Sequence, residues 1–438
     1  KNVQENKKNF RKTLNFTTFI KFPQRSQVMK RPILVYSLIF LVVLSIFSLL
    51  STKVLFTDVP QYANTAKEFA GISASKVRNF SSFFYPLFLG QFLKIAPGLF
   101  TLQLLNFIWL IFDALLLYHI TKRREVFFLF ALSPLTWYMA PWINPILPVS
   151  FFLLLSYYLL KQYTQTENRL YFIGSALSLG LVSALWWPGN YLAAIFIFAF
   201  FYNKKLLEII FYLIPFLATA SIRFLIDWYY FSMPFFTTIR GIGSNILFFL
   251  DKADIIPGSK PNTFLVIISL LLIISPLIFR LHKLNFRKYR HEAIFLGLAT
   301  ILFFLNLDLR YFIIISPLFI LLLSNYLSKL ELKLHYILSF FLIIIFTASY
   351  FGTTQDSLIV QDLKSIESDS GADTFIVGTE GVSEEQAMDL STLYWGDKIK
   401  KFVTYRDYKL SLEKDDIYKE YSIETTNKIN ELRKMRLS

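Results

Sequence analysis

Asp58 stands where a long apolar run gives way to polar chain, in the stretch Thr57-Asp58-Val59-Pro60-Gln61-Tyr62. A carboxylate at such a boundary meets water on one side and lipid on the other. Partial desolvation raises its proton affinity toward that of a useful general base, and Pro60 directs a helix over 61–70. The same position suits an N-cap for that helix, and position alone leaves the two uses level. Two more acids sit in polar, aromatic settings: Asp227 within Ile226-Asp227-Trp228-Tyr229-Tyr230-Phe231-Ser232-Met233-Pro234-Phe235-Phe236-Thr237, and Asp308 within Asp308-Leu309-Arg310-Tyr311. Asp227 has Arg223 one turn earlier, and an ion pair between them is slightly favoured over substrate contact. Asp113 is the only acid deep in an apolar run, where a charge costs about 3 kcal/mol, so a structural hydrogen bond between helices is its expected use.

The elements that must hold these residues are membrane helices. Of 438 residues, 55% are hydrophobic and only 17% charged. A soluble domain carries about a quarter charged residues and scatters its apolar ones, whereas here they form runs, which excludes a soluble globular protein. Spans are expected at 33–51, 99–120, 126–142, 146–160, 170–187, 191–202, 206–226, 263–279, 292–306, 311–327 and 334–351, since a helix needs about 20 apolar residues to cross the hydrocarbon. The run 84–97 is shorter, is interrupted by Pro86 and carries Lys94, so it reads as interfacial or re-entrant. The first span lacks a small-residue cleavage site and is read as a retained anchor.

Charge orients these spans. The loops around Lys122-Arg123-Arg124, Lys161 and Arg169, Lys204-Lys205, Arg280 to His291, and Lys329 and Lys333 then share one side, which the positive-inside rule makes cytoplasmic. Asp58, Asp227 and Asp308 fall on the other. The expected fold class is therefore an all-α polytopic membrane protein of about 11 spans, in a plasma or ER-type membrane, with interfacial helices in its first outer loop, 52–98. A basic cytoplasmic segment, 1–32, precedes the transmembrane domain 33–351; residues 1–28 are assigned no role of their own. After residue 351 the composition turns acidic, and 352–438 reads as a small extracytoplasmic α/β domain with strands at 374–378 and 401–405 in parallel.

Basic charge that flanks apolar runs serves orientation, so no nucleic-acid partner is expected. With no cysteine and all four histidines at the cytoplasmic edge, no outer zinc cluster is expected. No Walker loop occurs, and Gly241-Ile242-Gly243 lacks the context of a dinucleotide loop. No cofactor is expected, a divalent metal being unindicated. Trp137 to Trp142 and Trp186-Trp187 are expected mostly to anchor helices at the outer interface.

The order and shared sidedness of these motifs resemble the GT-C superfamily of polytopic glycosyltransferases, which take sugars from polyprenyl-phosphate carriers. Asp58 fills the place of that family's acid at the end of the first span, Tyr62 the aromatic that follows, and Phe83-Phe84-Tyr85-Pro86-Leu87 the Tyr-Pro start of an interfacial helix. The Asp227 segment resembles the acidic, aromatic outer loop of mannosyltransferase-type members, and Asp308-Leu309-Arg310-Tyr311 the start of a late span. The likeness covers roughly 30–350. The chain departs from the family in having a single acid at 58 rather than a pair, and no basic residue after the third span at Pro141-Trp142-Ile143-Asn144.

The resemblance implies an inverting transfer in which Asp58 is the catalytic base and the partners are membrane lipid, a polyprenyl-phosphate-linked sugar such as a mannosyl donor, and a glycan, lipid or protein acceptor. Arg310 is the first phosphate-binding candidate, ahead of Arg240 and Lys94, because a guanidinium grips phosphate in two places. It suits equally a snorkelling anchor paired with Asp308. Tyr62, Tyr85, Asp227 and Asp308 complete the implied substrate contacts. The competing readings are a transporter or flippase for lipid-linked sugars and a noncatalytic membrane scaffold.

Overall fold

The computed structural model describes residues 31–50, 58–72, 83–239, 241–242, 289–305, 311–351, 374–377 and 401–404. It divides after Ile39 into two units, Lys1–Ile39 and Phe40–Ser438; all packing below belongs to the second. Thirteen helices are named among the described residues. They are α1 (Arg31–Leu50), α2 (Asp58–Ala70), α3 (Phe84–Leu93), α4 (Leu99–Thr121), α5 (Arg124–Ala131), α6 (Pro134–Met139) and α7 (Ile146–Thr166). Next come α8 (Arg169–Leu185), α9 (Gly189–Phe201), α10 (Leu206–Phe231), α11 (Arg290–Leu305), α12 (Phe312–Tyr326) and α13 (Lys329–Phe351).

Three of these, α4, α7 and α10, are long and apolar enough to cross a membrane; α8, α9 and α12 are equally apolar but shorter. At 1.5 Å per residue α10 reaches about 39 Å, more than the hydrocarbon needs. Helix α3, with ten residues, reaches only about 15 Å, half of a crossing, in keeping with an interfacial or re-entrant piece. The expected span 263–279 lies outside the described residues.

The stretch 126–142 does not form the single span expected of it. Pro134 has no N–H to give and forbids the helix at Ser133, so the chain breaks into α5 and α6. The carbonyls this leaves at the end of α5 are taken by side chains: Thr136 Oγ1 donates to Phe130 O at 2.8 Å and Trp137 Nε1 to Ala131 O at 2.9 Å. Both helices are buried throughout most of their length, so irregular backbone is enclosed by protein rather than lipid.

Helix packing is tightest where side chains are smallest. A Cβ on Gly180 of α8 would collide with Thr219 Oγ1 and the Phe216 carbonyl of α10. Thr219 Oγ1 donates to Leu177 O at 2.9 Å across the same contact. Ser156 of α7 and Ser175 of α8 each donate to the other's carbonyl, at 2.9 and 2.8 Å, and Tyr212 of α10 joins Ser175 at 2.9 Å. Burying hydroxyls is tolerable here because every one is paired.

Asp113 departs from that rule. It is fully buried on α4 with no partner among the described residues at full hydrogen-bond geometry, and the group that acts on its carboxyl is the Ser150 hydroxyl of α7, the interhelical contact expected of it in a looser form. The nearby Ser150 hydroxyl of α7 is drawn to Ile313 O at 3.3 Å. That carbonyl is available because Pro317, four residues on within α12, cannot donate to it.

Beyond α13, strands β1 (Thr374–Val377) and β2 (Lys401–Thr404) pair in parallel, Thr374 opposite Lys401. They fall in the two segments expected as strands. The helices expected around them lie outside the described residues.

Candidate active site

Helix α2 begins at Asp58 itself, three residues before the expected start, with Pro60 in the first turn where a missing N–H costs nothing. Its composition is polar, yet Tyr62, Ala63, Asn64, Thr65, Ala66 and Lys67 are consecutively buried. A helix enclosed on all sides is ordinarily apolar, so polar groups packed inward here line an interior of polar character.

Helix α3 lies against it. Gly90 permits the approach, since a Cβ there would stand 2.9 Å from both Ala66 O and Phe69 Cβ. The Tyr62 and Tyr85 rings meet 5.7 Å apart, and Tyr85 Oη donates to Asn106 Oδ1 at 3.2 Å, tying the pair to α4. Asn106 in turn donates to Trp142 O.

The third wall is the end of α10. Ser232 terminates it in the left-handed conformation, φ 53°, with its N–H on Trp228 O at 2.8 Å. The chain therefore doubles back: Phe236 stacks on Phe231 with centroids 4.0 Å apart, and Phe235 packs on Phe224 at 4.7 Å. This return brings Thr237 to Asp227. Thr237 N and Oγ1 donate to Asp227 Oδ2 at 3.0 and 2.6 Å, while Arg223 Nε donates to Thr237 Oγ1 at 2.9 Å and NH2 to Thr238 Oγ1 at 2.6 Å. Arg223 and Asp227 are thus linked through Thr237 rather than by the simple ion pair expected. Asp227 Oδ1 is buried and keeps no hydrogen-bond partner.

Tyr62 approaches Arg223 closely enough to act on its charge. Further along, Tyr230 packs on Phe69 at 5.4 Å and on Phe83 at 5.5 Å. Of the residues marked in the sequence, Tyr62, Tyr85 and Asp227 are therefore brought into one cluster behind Asp58. Lys94 is not part of it: exposed after α3, its Nζ donates to Gln91 Oε1 at 3.4 Å. Arg240, Asp308 and Arg310, and the Asp58 side chain, lie outside the described residues. No three His, Cys, Asp or Glu among the described residues stand close enough to hold a metal ion.

Sequence reading passed over Lys67, Glu68, Arg223 as a bridge, Thr237 and Asn106. Glu68, in the last turn of α2, is held up to about 7 by burial. The available signal was polar residues at apolar positions, Asn106 inside a span and Arg223 one turn from Asp227. The tryptophans expected as interface anchors are instead core: Trp137, Trp142, Trp186 and Trp187 are all buried. Trp137 packs on Phe47 at 5.2 Å, Trp186 on Tyr311 at 5.0 Å, and Trp187 under Gly241.

The fold has a counterpart among solved structures. Crystal structures of ArnT from Cupriavidus metallidurans match it with a TM-score of 0.55 at 10% identity. The one bound to undecaprenyl phosphate covers 89% of this chain and 96% of its own; the apo form covers 87% and 94%. The chain has the ArnT fold. No protein-family model and no curated protein sequence matches it. The ArnT fold makes it a polytopic membrane protein, and at this identity the likeness is one of architecture.

Proposed function

We propose that the chain is an integral-membrane glycosyltransferase of the GT-C kind, moving a sugar from a polyprenyl-phosphate carrier to an acceptor at the extracytoplasmic face. The observation that carries this reading is the shared fold, because the ArnT it matches along most of its length was crystallised with undecaprenyl phosphate. The buried polar surface of α2, directly after Asp58, supports it.

In this proposal Asp58 takes the proton of an acceptor hydroxyl as the oxygen attacks the anomeric carbon. The bond to the lipid phosphate breaks with its electron pair on phosphate oxygen, and configuration inverts. Arg310, with Arg240 in support, stabilises that departing charge; Lys94, which stands apart from the cluster, has no part in it. The donor sugar proposed is a mannosyl unit.

The test uses the full chain in lipid nanodiscs with a synthetic polyprenyl-phosphomannose. Wild type should transfer or hydrolyse the sugar, and Asp58→Asn should lower the rate by roughly 10²- to 10⁴-fold. Thermal unfolding should be unchanged, since Asn opens a helix as well as Asp does. Full activity in the variant removes the proposed base. Flipping of the lipid-linked sugar in sealed vesicles without bond cleavage would make the chain a transporter.

A further inference from the structure

Glu68 has a feature that the transfer step does not use. Its Oε2 is buried and without a hydrogen-bond partner among the described residues, whose other buried polar groups are mostly paired. The residue as a whole is only half-buried, and its other carboxyl oxygen is not among the buried atoms, so a ligand can reach the group from that side. The Tyr230 phenol lies near enough to act on the carboxyl electrostatically. Phe69 and Phe83 fix the Tyr230 ring from α2 and from the residue before α3. Tyr229 stands edge-on to Tyr230 with centroids 5.0 Å apart, and at 82% it is among the most exposed large side chains described.

Height matters here. Counting about 20 residues of α10 from Leu206 to cross the hydrocarbon leaves its last six, 226–231, about 9 Å beyond it. Tyr229 and Tyr230 are therefore placed at headgroup level or in water. Anchoring in the interface would explain an exposed tyrosine; it leaves the unpaired carboxyl unexplained.

We propose that Glu68, Tyr230 and Tyr229 form a binding subsite for an uncharged pyranose unit, one sugar removed from the reacting hydroxyl of a glycan acceptor. The inference rests on the glycosyltransferase reading and narrows its acceptor. A carboxyl and a phenol near enough to act on one another can each bond a hydroxyl of the same sugar, and an open aromatic face covers the C–H face of the ring. With a proton affinity near 7, the carboxyl both donates and accepts at neutral pH. An anionic sugar would be repelled by the ionised fraction. Asp58 and Glu68 lie ten residues apart on one helix, about 15 Å along its axis. They cannot serve the same reacting atom, but a chain longer than one hexose spans the distance.

The experiment titrates the full chain in nanodiscs with mannose and with neutral manno-, gluco- and galacto-configured disaccharides, and reads binding by saturation-transfer NMR. At least one disaccharide should bind more tightly than its monosaccharide. Glu68→Ala, which removes the carboxyl from a half-buried position, and Tyr229→Ala, at an exposed position, should each weaken it about tenfold or more, while Glu68→Gln, whose amide still donates and accepts, should keep most of it. Binding of no disaccharide, or binding indifferent to both alanine variants, overturns the subsite. Donor cleavage is measured in parallel. Disaccharide binding that needs Glu68 in a chain that never cleaves the donor sinks the transferase reading and leaves the subsite; cleavage with indifferent binding does the reverse.

Discussion

Tyr62 and Tyr85 meet edge to face with ring centroids 5.7 Å apart, both buried, and so lock the helix that Asp58 opens onto the helix that follows it. Such a pair contributes about 0.5–1.5 kcal/mol beyond the area it buries. Tyr85 Oη then bonds Asn106, so α2 and α3 are fixed to the long span α4. The start of α2, where the base is proposed, is thereby held by the helix bundle rather than by a free loop, which is what pre-organised chemistry would require.

The proton affinity of Glu68 predicts a pH-dependent stability. Raised from 4.5 to about 7, it binds its proton more tightly folded than unfolded. The stabilisation is complete below the unfolded value and is lost as pH rises through about 7. Thermal unfolding of wild type in detergent should fall between about pH 5 and about pH 8 by more than that of Glu68→Gln. An equal fall in both proteins would show that the carboxyl is not desolvated.

Thr237 joins two buried charged side chains, and replacing it by Val keeps its shape while removing the hydroxyl. Arg223 Nε loses its partner, while Asp227 Oδ2 keeps the N–H of residue 237, so the cost is about 1–3 kcal/mol for the one stranded donor plus a smaller loss at the carboxylate. Thr238→Val removes one bond to Arg223 and should cost less. Unfolding temperatures ordered wild type, Thr238→Val, Thr237→Val are expected; a Thr237→Val protein as stable as wild type would mean that the bridge is idle.

Two glycines give opposite expectations for the same substitution. Gly180→Ala drives a methyl into the backbone of α10 and should destabilise by about 1–3 kcal/mol. Gly297, inside α11, has nothing within 4 Å of an added Cβ, so Gly297→Ala should stabilise by roughly 0.5–1 kcal/mol. Chemical or thermal melts of the pair decide whether α8 and α10 touch as described.

Sidedness is open to direct labelling, because the chain contains no cysteine. Ser81→Cys, Ser259→Cys and Ser370→Cys should react with an impermeant maleimide added outside intact cells, and Asn203→Cys only after permeabilisation. Reaction at Asn203→Cys from outside would invert the charge-based orientation.

Runs of apolar residues were enough to place the helices, since a helix in lipid must be apolar over its crossing length and little else satisfies its backbone. The same reasoning misjudged 126–142, where hydropathy stayed high but Pro134 broke the ladder. It took the four tryptophans for interface anchors because an aromatic in the interface and one in the core look alike along the chain. Asp227 stood out as an acid among aromatics, whereas its true connection to Arg223 runs through a threonine ten residues on.

The sequence by itself pointed to a polytopic membrane protein, to where most of its described helices lie, and to Asp58 as the opening of a polar segment after the first of them. Only the tertiary structure decided that the middle of α2, 62–67, is buried on every side, that Tyr62, Tyr85 and Asp227 gather in one cluster, and that Glu68 Oε2 has no partner among the described residues. Hydropathy is a property of each residue and can be read one position at a time. Enclosure and pairing depend on what another helix, or a chain doubled back at Ser232, brings within a few ångströms.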